Sequence, residues 1–436
     1  MILLKHQFTD VEKLLDEKME GKTVKIRGWV YRKRTAGGMN FLIIRDATDV
    51  IQVAVKKDKV SEKDFASADK ALIESAVEVE GIVKKDARAI NGFEMQAIAF
   101  HVIHSANAFP VAKDNSPEFL LDIRHLWVRS REISAIMKVK STMLEAVREH
   151  FKQEGYFETT PPIIVSGAVE GGSTLFEMNY FGKKAYLSQS AQLYLEALIF
   201  SLEKVYSVTP SFRAEKSRTL RHLAEYWHVE AEAAYAELED MLILEEGLIS
   251  NMCQRAATDR AKELKFLGRD PNEIKKIEPP FDRIRYDEAV ELVQVKNPAF
   301  KWGDDLGTED ERILTQERTL PVFVTHYPKH IKAFYMKEDP KNPKVVRNND
   351  CLAPEGYGEI VGGSQREENV DKLIDRLKEE GADIAAYEWY LDLRRYGSVP
   401  HSGFGLGLER IVRWVCKLEH IRDTTPFPRV MNRSYP

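Results

Sequence analysis

The chain has 436 residues, of which 43% are hydrophobic and 31% charged, and its formal net charge at pH 7 is −5. This composition is that of a soluble globular protein with packed cores and two or three domains. Three widely spaced cysteines argue against a zinc site or a disulfide framework and indicate a reducing cytosol. The sequence contains no run of about 18 apolar residues, so we expect no membrane span.

Residues 1–107 have the pattern of a small β-barrel. Five short segments alternate apolar and polar residues as strands do, and a helical segment, 61–75, lies between the third and the fourth. Five strands with one interposed helix predict an OB-fold β-barrel, although another small all-β domain would show the same alternation. The five segments are 24–34, 41–46, 50–55, 76–85 and 93–104.

Charge is distributed unevenly along the chain. Residues 1–107 carry 18 basic against 16 acidic residues, whereas the remainder is net acidic. A nucleic-acid site does not require a basic protein, because a local patch is sufficient. The slight excess therefore favours the N-terminal domain as the part that contacts a polyanion.

The rest of the chain is predicted to form a hinge and one large domain. Segment 108–130 contains prolines and lacks periodicity, which is typical of a hinge or linker. A long helix follows at 133–153, with apolar residues at helical spacing. Over 131–436 we predict an α+β domain built on an antiparallel β-sheet flanked by helices.

The sequence lacks a phosphate-binding loop motif but contains arginines that could bind phosphates instead. The sequence has no GxxxxGK[ST] motif and no GxGxxG between a strand and a helix. If the protein uses ATP, side chains have to hold the phosphates, and arginine suits this task because it is bidentate and always charged. Three segments supply arginines: SFRAEKSRTLRHLAEYWHVEAE (211–232), GEIVGGSQREEN (358–369) and GFGLGLERI (403–411).

These segments resemble the motifs of a known family. A long helix with a Pro-rich strand, an FRAE hairpin and GLGLER are similar, in that order, to the three motifs of class II aminoacyl-tRNA synthetases. The preceding barrel resembles the aspartyl, asparaginyl and lysyl branch, and EGGSTLF, YLSQSAQLYLEA and RRYGSVPHSGFGLGLER most resemble its asparaginyl group. The resemblance covers nearly the whole chain. It implies a catalytic domain that activates L-asparagine with ATP and transfers it to tRNA(Asn), and an OB-fold domain that binds the anticodon.

The resemblance also implies an ATP site. Arg213 corresponds to the arginine that binds the α-phosphate and the substrate carboxylate, and Glu215 to the glutamate that reads the adenine amino group. The remaining correspondences are γ-phosphate contacts, Arg221 and His222, and residues that stack on adenine, Tyr226 and Arg410. An in-line attack on phosphorus needs positioning and charge neutralisation, which Arg213 and Arg410 would supply.

A magnesium site is implied beside the phosphates. Glu359 corresponds to an Mg²⁺ ligand that bridges ATP phosphates, and Asp350 is its expected partner. Carboxylate and phosphate oxygens are the ligands that Mg²⁺ prefers. The alternative for both acids is a solvated loop.

Substrate contacts are implied on four segments. Glu170 corresponds to the residue that holds the α-amino group, and Ser190 and Gln192 line the same pocket. Arg366 and Glu230 correspond to the residues that meet the substrate side chain.

Selectivity for asparagine follows from the charges of this pocket. A carboxamide offers an oxygen to Arg366 and an NH₂ group to Glu230, whereas an aspartate carboxylate would face Glu230 unfavourably. Aspartyl enzymes carry a lysine at the position of Leu195, so the missing lysine is expected to help exclude aspartate. The alternative is that Leu195 is only a core residue of an amphipathic helix.

Anticodon contacts are implied on the barrel. Phe41 and Gln52 correspond to the residues that stack on and read the central uridine, in keeping with the way OB folds bind single strands. Arg27, Trp29 and Arg34 lie on the same hairpin and are candidates for backbone contacts. A core Phe41 and a surface Gln52 are the alternatives.

Three other functions compete with the main prediction. An aspartyl-tRNA synthetase, including one that accepts both tRNAs, is disfavoured by the absent lysine. An asparagine synthetase paralogue would lack residues 1–107, and a non-catalytic RNA-binding paralogue would have lost arginines that are present here.

The long helix corresponds to the motif that builds a twofold interface, so we expect a homodimer. We expect it to be cytoplasmic.

Overall fold

The structure is a computed structural model that describes residues 8–112, 114–167, 174–215 and 220–436. The chain divides into two compact units, Met1–Asn115 and Ser116–Pro436. Within the described residues, no helix has the length and apolar character needed to cross a membrane. The three cysteines are buried free thiols.

The first unit is a closed barrel. Its elements are β1 (Thr23–Ala36), β2 (Met39–Arg45), β3 (Val50–Lys56), α1 (Glu62–Lys70), β4 (Ala76–Lys85) and β5 (Phe93–His104). The strand order is β1-β2-β3-β5-β4, which confirms the predicted OB-fold barrel. Alternate residues of β1, such as Ile26 and Val30, are fully buried in its core. Helix α1 begins at Ser61, whose hydroxyl accepts a hydrogen bond from the Asp64 N–H.

The second unit contains the remaining elements. Its strands are β6 (Phe157–Glu158), β7 (Ile164–Val165), β8 (Glu177–Tyr180), β9 (Lys183–Leu187), β10 (Lys204–Phe212), β11 (Glu225–Ala234), β12 (Asp282–Arg285), β13 (Val322–Thr325), β14 (Glu338–Asp339), β15 (Asn342–Val346), β16 (Asn348–Ala353), β17 (Gly358–Gln365) and β18 (His401–Gly407). Its helices are α2 (Pro117–Asp122), α3 (Arg124–Trp127), α4 (Arg131–Gln153), α5 (Gln192–Leu202), α6 (Leu238–Asp259), α7 (Ala261–Phe266), α8 (Pro271–Ile274), α9 (Tyr286–Lys296), α10 (Thr308–Thr315), α11 (Val370–Glu379), α12 (Glu388–Arg395) and α13 (Leu408–Val415).

An eight-stranded sheet organises this unit, in the order β12-β13-β16-β17-β18-β11-β10-β6. The central pairings are antiparallel, as predicted, while β12 with β13 and β10 with β6 pair in parallel at the two edges. Smaller sheets pair β7, β9 and β8, and β14 with β15.

Helices α4, α6 and α13 share one core with the large sheet. Helix α4 begins at Ser130, whose hydroxyl accepts from the Ile133 N–H at 3.2 Å. Near its other end Phe151 stacks on Tyr206 of β10, with ring centroids 4.3 Å apart. Because this face of the sheet is covered by helices, polar groups concentrate on the other face.

The predicted hinge, 108–130, is wrong for its second half. Residues from Ser116 onward belong to the second unit and form α2 and α3. Arg124 is buried, and its guanidinium donates to the carbonyls of Thr425 and Pro426 at 3.0 and 2.9 Å. These bonds to a distant segment hold α2 and α3 in place. The periodicity of the sequence does not indicate them.

Candidate active site

The alternation of β11 places the site on the open face of the sheet. Val229, Ala231 and Ala233 point into the core beneath α4 and α6. Side chains on a strand alternate between faces, so Glu230 and Glu232 point to the opposite side. Two buried carboxylates on that face require partners, which the segments just before α5 and just after β17 supply.

All the predicted ATP residues except Glu215 lie together in one cavity. Its lining includes Arg213, Arg221, His222, Tyr226, Glu359 and Arg410. The Arg213 guanidinium lies over the Tyr226 ring, 5.8 Å from its centroid, and Nη1 of Arg410 lies 2.9 Å from Oε2 of Glu359. Glu215 lines an adjoining cavity with Arg213 and His222, and its carboxylate is 3.6 Å from Nε2 of His222.

Glu311, on α10, is a member of this site that sequence reasoning missed. Its carboxylate pairs with Arg221 at 2.6 Å and accepts the Glu359 N–H at 2.8 Å. Gly358 has φ +75° and lies against both side chains, so a Cβ there would be strained and would also clash. Glu311 therefore fixes the turn that presents Glu359, although no signature motif contains it.

Asp350 and Glu359 form a paired acidic site. A Cβ placed on Gly362 would lie 3.6 Å from Oδ1 of Asp350 and 3.8 Å from Oε1 of Glu359, so both oxygens flank this glycine. Their other oxygens are held by Lys332 at 2.7 Å and Arg410 at 2.9 Å. Two converging oxygens with supported partners suit Mg²⁺, which typically takes one or two carboxylates and completes its shell with phosphate and water.

The charge state of Glu359 fits this use. Burial by itself would raise the pKa of Glu359, but the positive charges of Arg410, Lys332 and Arg221 outweigh it and lower the pKa to about 2. The carboxylate is therefore ionised throughout the neutral range.

No group of three or more His, Cys, Asp or Glu side chains suited to a metal occurs in the described part of the chain.

A second cavity contains the predicted amino-acid contacts. Ser190, Gln192, Glu230 and Arg366 line it, together with Arg213. Glu230 is buried and accepts hydrogen bonds from the Ser190 hydroxyl and, at 2.8 Å, from the Ala191 N–H. Glu170 lies outside the described residues.

Arg366 reaches the pocket with its charge already held in place. Its guanidinium donates to Glu232 through Nε, 3.1 Å from Oε1, and through Nη2, while Nη1 donates to Ser364 at 2.6 Å. Burial opposes its charge, but the carboxylates of Glu232 and Glu196 outweigh this and raise the pKa of Arg366. Glu232, which sequence reasoning missed, thus keeps a permanently charged arginine at the pocket wall.

The expectation that Leu195 faces the substrate is wrong. Leu195 is fully buried and packs with Ala191, Ile199 and Val205. Among the described residues that line the cavity, α5 contributes Gln192 instead. The helix therefore turns Leu195 into the core, and the selectivity argument rests on Glu230 and Arg366.

Leu195→Lys is accordingly expected to destabilise the protein by several kcal/mol, because an unpaired ammonium would be buried in an apolar core. Urea unfolding measures the loss, and Leu195→Met, which conserves volume, should cost less than about 1.5 kcal/mol. A stable lysine variant that activates aspartate would restore the original interpretation.

The predicted anticodon residues share the outer face of the barrel. Arg34 pairs with Phe41 across β1 and β2, and its guanidinium lies 4.6 Å from the ring centroid. Gln52 pairs with Ile43, two residues beyond Phe41, which places Phe41 and Gln52 on one face. Arg27 and Trp29 are exposed on β1.

Gln52 is oriented by a residue that sequence reasoning missed. Its Nε2 donates to Oε2 of Glu94, the neighbouring residue on β5, at 2.7 Å. With the amide NH₂ directed to a carboxylate, the Gln52 carbonyl oxygen is left as an acceptor. Both side chains are buried.

Comparisons with known proteins show the family of this chain. The family model of class II tRNA synthetases (D, K and N) matches residues 116–431, and that of the OB-fold nucleic acid binding domain matches residues 24–103. The asparagine--tRNA ligase of Thermococcus gammatolerans is 58% identical over 418 residues, covering 96% of this chain and 97% of that protein.

Solved structures give the same result. Asparaginyl-tRNA synthetase from Pyrococcus horikoshii, complexed with asparaginyl-adenylate, is 55% identical with a TM-score of 0.95, covering 99% of this chain and all of that one. The enzyme from Entamoeba histolytica in the same complex is 34% identical with a TM-score of 0.87, covering 96% and 97%. The chain therefore belongs to the class II tRNA synthetases of the D, K and N group and, within that group, to the asparaginyl-tRNA synthetases.

Proposed function

We propose that this protein activates L-asparagine with ATP and transfers the asparaginyl group to tRNA(Asn). The observation that carries the proposal is the position of Arg213, which lines both the cavity of the ATP residues and that of the amino-acid residues. A guanidinium at this junction contacts both the α-phosphate and the carboxylate that attacks it. The relatives named above support asparagine as the amino acid.

The first step needs no covalent nucleophile from the protein. The substrate carboxylate attacks the α-phosphorus in line, the phosphoanhydride bond breaks, and pyrophosphate leaves. Arg213 orients the attacking carboxylate and stabilises the charge that spreads over the α-phosphate. Tyr226 and Arg410 hold the adenine between them, Glu215 reads its amino group, and Arg221 and His222 hold the terminal phosphate.

Magnesium is part of this proposal. Glu359 and Asp350 would hold Mg²⁺, because one carboxylate oxygen of each flanks Gly362 and Glu359 is ionised. When bound, Mg²⁺ neutralises the phosphate charge and orients the leaving group. Lys332 and Arg410 keep both carboxylates in place.

Asparagine is recognised by complementary hydrogen bonds. Arg366 donates to the carboxamide oxygen, and Glu230 accepts from the carboxamide NH₂. Ser190 and Gln192 complete the wall of the pocket, and Glu170, by resemblance, holds the α-ammonium. A carboxylate in the same place would leave two negative charges in contact in a buried pocket.

Amino-acid-dependent ATP–pyrophosphate exchange, measured without tRNA, tests the proposal. Exchange with asparagine and none with aspartate would support it. Exchange with aspartate alone would contradict the proposal and show that the protein activates aspartate instead of asparagine.

The barrel is proposed to bind the anticodon of tRNA(Asn). Phe41 stacks on the central base, Gln52 reads its edge, and Arg27, Trp29 and Arg34 contact the neighbouring backbone. Glu94 fixes the Gln52 amide so that its oxygen accepts a hydrogen bond from the base.

Phe41→Ala is expected to raise the KM for tRNA about ten- to hundredfold, because stacking on one base contributes about 1–3 kcal/mol. Pyrophosphate exchange should stay unchanged, since the other unit carries the activation site. Ile98→Ala, an exposed apolar residue of β5, is the matched control. Equal losses in exchange and in charging would contradict the division of labour.

We also propose a homodimer formed around α4 and the strands that follow it. Phe157, Ile163, Ile164 and Phe181 are all exposed apolar residues in this region. Light scattering after size exclusion should give twice the mass of one 50.0 kDa chain. A monomer mass at micromolar concentration would refute the proposal.

The cytoplasm is the compartment that fits this function. The three buried free thiols are compatible with its reducing conditions.

A further inference from the structure

Behind the amino-acid pocket lies a cluster of buried side chains centred on Glu196 of α5. Its Oε2 accepts hydrogen bonds from Arg394 at 2.6 Å and from the Tyr390 hydroxyl at 2.7 Å, and Nε2 of His401 lies 2.9 Å away. Its Oε1 accepts from Nε2 of Gln192 at 3.0 Å. Glu196, Tyr390 and His401 have no exposed surface. Gln192 is therefore the member through which the cluster meets the pocket.

The cluster determines which end of the Gln192 amide faces the substrate. An ionised carboxylate only accepts hydrogen bonds, so the NH₂ group of Gln192 has to point toward Glu196. Burial opposes ionisation of Glu196, but the positive groups around it, Arg394 first, outweigh this and lower its pKa. The carbonyl oxygen of Gln192 then faces the cavity as an acceptor.

The same cluster supports the other wall of the pocket. The Arg366 N–H donates to the His401 carbonyl at 2.9 Å, and Nε of Arg394 donates to the Glu367 carbonyl at 3.0 Å. Helix α12, which carries Arg394, thus connects β17 and β18 to the helix that carries Gln192. A change at Glu196 is transmitted to the substrate through Gln192 first, since that bond is direct.

We propose that Glu196 is a positioning residue that fixes Gln192 as a hydrogen-bond acceptor for the α-ammonium group of asparagine. Asparagine has two donor groups, and the proposed function assigns its carboxamide NH₂ to Glu230. The α-ammonium is the donor that remains. The inference rests on the proposed function and deepens it.

Glu196→Gln tests the inference with an isosteric side chain. Arg394 and Tyr390 both donate, so the new amide oxygen takes the Oε2 position and its NH₂ faces Gln192. The Gln192 amide has to turn over, and it presents a donor to the α-ammonium. We expect the KM for asparagine to rise about ten- to hundredfold, the range for a hydrogen bond to a charged group, with the KM for ATP within about twofold.

Two further measurements separate positioning from a general structural role. Succinamic acid is asparagine without its amino group, so its inhibition constant should be the same in Glu196→Gln as in the wild type. The double variant Gln192→Glu with Glu196→Gln should recover the KM for asparagine. In that variant the amide at position 196 donates to the carboxylate at position 192, whose other oxygen faces the pocket. Gln192→Glu alone should remain impaired, since it opposes two carboxylates.

Each outcome distinguishes the inference from the proposed function. If wild-type protein shows no exchange with asparagine, both fail. If it exchanges and Glu196→Gln leaves the KM for asparagine unchanged, raises both KM values equally, or is not rescued by the second change, the inference alone fails. Should Glu196→Gln not fold, Glu196→Asp keeps the charge and withdraws the oxygen from Gln192, and the same selective rise is expected.

Discussion

Replacing Arg213 by lysine is expected to lower asparagine-dependent pyrophosphate exchange about a thousandfold, the scale on which removing one preorganised donor from a transition state acts. Arg213 lines both the cavity of the ATP residues and that of the amino-acid residues. Its planar guanidinium can hold a phosphate oxygen and a carboxylate oxygen together. Lysine keeps the charge but not the paired donors. Because the Arg213 side chain is about one-third exposed, the free energy of unfolding should change little.

Arg422→Lys is the matched control for this variant. Arg422 lines the adjoining cavity with Arg213 and pairs with Glu118 at 3.2 Å, but it lies outside the cavity that contains Glu359. Its exchange rate should remain within about twofold of the wild type, as for a surface ion pair. If both lysine variants lose activity equally, a general loss of positive charge, and not the geometry of Arg213, would explain the effect. Unfolding in urea confirms that each variant is folded.

The parts of this site that could be predicted are those whose function depends on local sequence. Arg213 follows β10 directly, Tyr226 is the second residue of β11, and Arg410 is the third residue of α13. Each is therefore positioned by a short segment with a recognisable pattern. The barrel was predictable for the same reason, because its strands are consecutive and alternate regularly. The antiparallel register of β2 and β3 then brings Phe41 and Gln52 to one face of the barrel.

The residues that sequence reasoning missed act across long separations. Glu311 reaches Glu359 from a helix 48 positions earlier, and Arg394 reaches Glu196 across 198 positions. Glu311 lies in none of the quoted motifs, and Arg394, although it begins RRYGSVPHSGFGLGLER, gives no sign of its partner in the sequence. A buried charged residue on a helix looks like any polar residue until its partner is known. Leu195 shows the converse error. Its position three residues after Gln192 placed it near the pocket, but the helix directs it into the core.

Glu230→Gln is expected to remove most of the discrimination between asparagine and aspartate. The ratio of kcat/KM for the two amino acids should fall by about a thousandfold, because a polar pocket rejects a mismatched group by leaving buried charges unpaired or opposed. Glutamine keeps the shape of the side chain and an acceptor for the Ala191 N–H, which Glu230 now holds at 2.8 Å. The negative charge that repels aspartate is lost, while Arg366 remains to attract it.

Measuring exchange with each amino acid separates the two halves of this expectation. Activity with asparagine should fall, because the carboxamide NH₂ group of the substrate loses its charged acceptor. Activity with aspartate should appear. Glu225→Gln, at the exposed start of the same strand, is the matched control and should leave the ratio unchanged. A Glu230→Gln variant that stays folded and still rejects aspartate would assign discrimination to another feature of the pocket. Arg366 with Glu232 would then be the next pair to vary, because it is a buried charge pair on this wall.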